Sequence, residues 1–140
     1  MRVFFLPTMM VVTLLGSFGA AIAANPQPDA NLFRLVEGTW GWKDVPASSC
    51  EQNPHVLSFA EGDKKMILKY PKTGAQYVYQ VLYAEKNQIT MLIQDEERRT
   101  EPGDRVMWVL VLNDKSTYQW RRTDWKSDAR TKEIIRCPGR

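Results

Sequence analysis

The sequence has few residues with which to do covalent chemistry. Its 140 residues include one histidine and two cysteines. A nucleophilic triad needs a histidine positioned as base. His55 sits beside Pro54 at the opening of a β-type run, where a surface or strand-end role is expected. There is no Cys-x-x-Cys pair and no His/Cys cluster with ligand spacing, so no metal site is expected. Asp95-Glu96-Glu97 groups three carboxylates, but Arg98 and Arg99 follow directly, and the segment reads as a solvated hairpin loop. Gly-rich phosphate loops are absent. The 16 acidic residues show no spacing that singles out a pair for glycoside hydrolysis. The expectation is a protein that is not an enzyme, with no catalytic residue, metal or cofactor.

Glycine and proline number eight each, too few for a collagenous or low-complexity chain. Charge of one sign is also lacking. Against 16 acidic residues stand 19 basic ones, for a net charge of +3. That mixture lacks the concentrated positive field of a nucleic-acid binder, so no nucleic-acid partner is expected. The 44% hydrophobic content is ordinary for a folded chain and excludes wholesale disorder. The length fits one domain.

Long hydrophobic runs are confined to the N-terminus. Arg2 precedes an apolar stretch from Val3 to Leu15, broken only by Pro7, Thr8 and Thr13. Ala21-Ile22-Ala23 then forms a small-x-small cleavage signature, and a cut after Ala23 or Ala24 is equally defensible. Residues 1–24 therefore read as a secretory signal peptide and residues 25–140 as a single domain. An N-terminal membrane anchor is the competing reading. The run falls short of the roughly 20 residues a spanning helix needs, and Asn25-Pro26-Gln27-Pro28 follows without a basic stop-transfer flank. No cysteine at the cleavage point offers a lipid attachment. A periplasmic or secreted chain with no stable membrane anchor is expected.

In an oxidising compartment a lone cysteine pair is expected to bond, here Cys50 with Cys137. Closing a loop of about ninety residues stabilises by roughly 4–5 kcal/mol in the chain-entropy treatment. A domain this small has a marginal core, and the bond helps it.

Beyond residue 30 the chain opens with one helical signal. Asp29 can cap it, and Leu32, Leu35 and Val36 share a face before Gly38 ends it. Everything later reads as strands and turns: Thr39–Lys43, His55–Ala60, Lys65–Tyr70, Gln76–Glu85, Gln88–Gln94, Arg105–Leu112, Thr117–Asp124 and Lys132–Cys137. Lys86-Asn87 is a two-residue turn in which Asn87 is expected to take the positive φ. Most connections are hairpin-sized and none has room for a crossover helix, so the sheet should be antiparallel. The expected fold is all-β, an eight-stranded antiparallel up-and-down β-barrel preceded by one short helix. Closure removes both exposed edges. A two-sheet sandwich is the competing architecture, and it needs longer connections than most of these loops provide.

A short helix followed by Gly38-Thr39-Trp40 at the head of the first of eight strands resembles the calycin group, which includes lipocalins, avidins and small bacterial barrel inhibitors. The resemblance implies that Trp40 closes the base of the barrel beneath an arginine of the last strand. Arg136 is the matching residue, with Arg121 and Arg122 in reserve. A guanidinium can stack on an indole face while its donors satisfy nearby carbonyls. In strict up-and-down order the connection after the first strand and the end of the eighth lie at opposite ends. Cys50 is six residues past Asp44, and six extended residues reach roughly 20 Å, so that connection can run back along the wall to Cys137.

Trp40, Trp42, Trp108, Trp120 and Trp125, with Tyr77, Tyr79, Tyr83 and Tyr118, are a heavy aromatic load for so short a chain. They fill the interior, or they surround one small ligand; a barrel of eight strands allows either. Alternation puts Tyr77, Tyr79 and Tyr83 on one face, and a tyrosine stripe suits a semi-polar pocket. In Trp120–Trp125 it places Trp120, Arg122 and Asp124 together. An inward arginine either pairs with a carboxylate or receives an anionic headgroup. The candidate ligand-binding residues are Tyr77, Tyr79, Tyr83, Trp108, Trp120 and Arg122. The expected partner is a small apolar or amphiphilic molecule. The alternative is a protein target, bound as small barrel inhibitors of proteases or lysozymes bind theirs, through a projecting segment such as Asp95–Asp104.

Overall fold

Alternation of apolar and polar side chains after Gly38 leaves each segment one face to bury, and the chain buries them all against a single axis. The computed structural model describes residues 31–139. The expected signal peptide and the expected cap Asp29 lie outside the described residues. Helix α1 spans Leu32–Val36, and the strands are β1 Gly38–Trp42, β2 His55–Ala60, β3 Lys65–Lys69, β4 Gln76–Glu85, β5 Gln88–Ile93, β6 Trp108–Asp114, β7 Thr117–Arg122 and β8 Ile134–Arg136. Each strand pairs antiparallel with the next, and β8 returns to β1 with Trp40 opposite Arg136. The sheet is a closed up-and-down barrel, not a sandwich. No helix among the described residues is long and apolar enough to cross a membrane.

Strand bounds differ from the sequence pattern where loop bonds replace ladder bonds. Before Trp108, the Val106 amide bonds the Arg98 carbonyl and the Met107 amide bonds the Thr123 hydroxyl, so β6 starts three residues late. In the β4–β5 turn Lys86 takes the positive φ of 50°, not Asn87. Asn87 is committed elsewhere: its side-chain amide donates to the Leu112 carbonyl and its own carbonyl accepts from the Leu112 amide, both at 2.9 Å.

The helix closes one end. Leu32 and Val36 are buried on the core, and Phe33 meets Phe59 edge-on at 5.0 Å. Trp40, Leu57, Met66, Ile89, Met91, Leu110, Tyr118 and Ile134 fill the half of the barrel above it. The lower interior is therefore packed side chain to side chain.

The connection after β1 runs back along the outer wall as the cysteine spacing requires. Trp40 and Trp42 point inward, so Gly41 points out, and a Cβ there would lie 2.3 Å from the Cys50 amide nitrogen. Only glycine lets the segment lie so close. Cys50 and Cys137 are joined, with Cα atoms 5.4 Å apart. Strand β2 begins opposite Trp40, halfway down β1, so the returning segment has no distance to regain.

Candidate functional site

The end opposite the helix is open, and there the interior rings stop packing. A cavity of about 340 Å³ is walled by Trp42, Tyr70, Tyr77, Trp108 and Trp125 and floored by Leu68, Tyr79 and Trp120. Its position follows from alternation on strands that end at this rim: Trp42 closes β1, Trp108 opens β6, and Tyr77 and Tyr79 enter on β4. Two larger depressions, about 440 and 920 Å³, lie outside. One is lined by Lys64, Gln80, Gln94 and Arg105, the other by the disulfide and Pro54, Pro71 and Pro138.

The aromatic array is built of defined ring contacts. Tyr79 stacks on Trp120 at 5.5 Å and 17°. Trp108 meets Trp120 edge-on at 5.9 Å and Trp125 at 6.1 Å. These are the offset and edge geometries that ring quadrupoles favour.

Two guanidinium groups pack over the rings of this array. Arg98 and Arg122 each lie 5.4 Å from the Trp108 centroid, and Arg122 is 5.2 Å from that of Trp125. Both are already paired. Glu96 receives Arg98 through both carboxylate oxygens at 2.7 Å, and accepts the Trp108 indole N–H at 3.0 Å. Asp124 receives Arg122 through both oxygens, one at 2.9 Å. The Arg98 guanidinium holds the Glu96 carboxyl down to about 2, and Arg122 lowers Asp124 likewise. At neutral pH the rim therefore carries two cations and two anions.

Glu96 corrects the expectation of a solvated acidic loop. Its side chain is only 3% exposed, because the loop folds back on itself through the Arg99–Arg105 bridge and the Thr100–Asp104 turn. His55 opens β2, as the strand-end reading has it, but does not lie at the surface. It is fully buried, its Nε2 2.6 Å from the Tyr118 hydroxyl, and its Nδ1 has no hydrogen-bond partner among the described residues. With no carboxylate beside it, burial pushes its pKa down to about 4.

The tyrosine stripe is split. Tyr79 is 6% exposed on the cup floor and Tyr77 is 48% exposed at its lip, but Tyr83 is 52% exposed on the outer wall. A bulge between Val81 and Tyr83 inserts one residue, which reverses the facing of everything after it. Ala84 takes the inward place instead. Trp108 and Trp120 lie in the cup wall and floor; Arg122 packs over the Trp108 and Trp125 rings and is spent on Asp124.

Sequence reasoning left Trp42, Tyr70 and Trp125 out of the site. Trp42 was legible from the alternation that paired it with Trp40, and Tyr70 from that of β3. Trp125 follows the end of β7 and comes to the rim by a turn whose amide bonds the Arg122 carbonyl. At the base, Arg136 lies 4.1 Å from the Trp40 centroid. Among the described residues no group of three or more His, Cys, Asp or Glu could hold a metal ion.

No protein-family model matches the chain, and no curated protein matches it. Among solved structures it is similar to the crystal structure of Tp0751 (pallilysin) from Treponema pallidum. That match has 14% identity and a TM-score of 0.43, over 79% of this chain and 87% of that one. At that distance the likeness says nothing about what this chain does.

Proposed function

We propose that this chain is an exported, non-catalytic, lipocalin-like barrel that holds a small apolar or amphiphilic molecule in its aromatic cup. The observation that carries the reading is the cup itself. Its 340 Å³ fall within the range of small-molecule sites, and its wall is concave and ring-rich with a few polar groups. The Trp40–Arg136 stack at the opposite end supports the calycin likeness. The disulfide supports a periplasmic or extracellular setting. The burial of His55 under Tyr118 supports a role without catalysis, since the one imidazole cannot meet a substrate.

Native protein recovered from the periplasm or medium is extracted and analysed by mass spectrometry, and Trp fluorescence of the stripped protein is titrated with the extract. A molecule recovered in stoichiometric amount, which also changes Trp emission saturably, supports the reading. No recovered molecule and a flat titration overturn it.

A protein target is the second reading. Leu82, 40% exposed, and Tyr83 stand side by side on the outer wall at the bulge, an apolar pair that the barrel itself does not use. Under that reading, Leu82→Ser with Tyr83→Ser abolishes partner binding and leaves the cup unchanged.

A further inference from the structure

From the same cup, and resting on the ligand reading above, we infer the chemical class of its occupant: a compact, flat, uncharged ring system bearing a hydroxyl or carbonyl group.

Depth excludes a long acyl chain. Below the cup floor the interior is occupied by Tyr118, Met66, Met91 and Leu110, all fully buried, so a tail has no channel to enter. Charge excludes an anion. No lysine or arginine lines the cup, and the two guanidinium groups packed over Trp108 are held by Glu96 and Asp124, so freeing either would strand a carboxylate. Among the described residues no carboxylate lines the cup to receive a cation.

What the cup does offer is ring faces and uncharged polar handles, the phenols of Tyr70, Tyr77 and Tyr79. Tyr79 is the most deeply set of the three, more than nine-tenths buried on the cup floor. The Thr131 hydroxyl, also at the cup, is spent on the Trp120 amide and the Lys132 carbonyl. A flat ring can extend the Tyr79–Trp120 stack, and a hydroxyl or carbonyl on it meets the Tyr79 phenol.

The test uses the disulfide-intact chain with four probes followed by calorimetry and Trp emission: 2-naphthol, 2-naphthoate, 1-dodecanol and laurate. The expected result is one 2-naphthol per chain, bound at least tenfold more tightly than any of the other three. Tyr79→Phe, which keeps the ring stack, weakens 2-naphthol about tenfold and leaves naphthalene binding unchanged; Tyr83→Phe on the outer wall changes neither. Equal or tighter binding of 2-naphthoate, dodecanol or laurate overturns the inference while leaving the ligand reading in place. Failure of 2-naphthol to bind also overturns it. In that case an acyl or anionic molecule recovered from the native protein preserves the ligand reading, and recovery of none removes both.

Discussion

The Arg136 guanidinium packs over the Trp40 indole and caps the helix that plugs the barrel. Its Nη1 donates to the Glu37 carbonyl and its Nε to that of Lys115, both at 2.9 Å, while Nη2 donates to the Leu35 carbonyl. The Trp40 indole N–H donates to the Val36 carbonyl at 2.9 Å. A five-residue helix cannot persist alone. Here the carbonyls of its last two residues and of its C-cap, Glu37, are satisfied by two side chains from the strands that close the barrel, so helix and closure form one unit.

Trp40→Ala is expected to cost about 3–5 kcal/mol, the range for deleting a buried large aromatic, because it also strips the Val36 carbonyl of its donor. Gly38→Ala is expected to cost about 1–3 kcal/mol as backbone strain. Gly38 sits at φ 132°, and a Cβ there would lie 2.6 Å from the Arg136 Nη1. Urea unfolding measures both. A midpoint unmoved by Trp40→Ala would refute the arrangement.

The disulfide ties the outer segment to the end of β8 at a separation of 87 residues. Thiol titration of the unfolded, unreduced protein should find no free sulfhydryl. Cys50→Ala with Cys137→Ala should lower stability by about 4–5 kcal/mol in the chain-entropy treatment.

His55 makes stability depend on pH in a definite window. Its folded pKa, about 4, lies below the 6.5 of the unfolded chain, so the unfolded state binds the proton first. The stabilisation is complete above pH 6.5 and disappears as pH falls toward 4, a loss of about 3 kcal/mol. Glu96 acts lower. Its pKa is held at about 2 against an ordinary 4.5, so its share is present above 4.5 and lost as pH falls through 2. Urea midpoints from pH 7 to 4 should fall in the native chain and fall less in His55→Gln. An equal slope in both would remove His55 as the cause.

Much of the fold was legible because period-2 alternation and short turns leave few alternatives. Gly38-Thr39-Trp40 pointed to the base through its calycin resemblance alone; the reason for the glycine, which admits the guanidinium that covers Trp40, shows only in the fold. The cup was legible only in part. Trp108, Trp120, Tyr77 and Tyr79 follow from facing, but a one-residue bulge leaves no mark in the alternation of Tyr79, Val81 and Tyr83. Likewise, nothing in Asp95-Glu96-Glu97 tells which carboxylate turns inward; that depends on Arg98 and on the Trp108 indole N–H, twelve residues away.

The bulge itself is open to test by comparing two tyrosines of the same strand. Tyr79 stacks on Trp120 and is buried, so Tyr79→Ala removes a packed aromatic and should cost about 3–5 kcal/mol. Tyr83 projects from the wall after the register shift, so Tyr83→Ala should change stability by no more than about 0.5 kcal/mol. Unbroken alternation would place both rings inside and make both substitutions severe. Tryptophan emission adds a second readout, because Tyr79→Ala exposes Trp120 to water and shifts its spectrum to the red, whereas Tyr83→Ala leaves it in place. Comparable destabilisation by the two, with red shifts in both spectra, would mean that the strand runs without a bulge and that Tyr83 belongs to the interior.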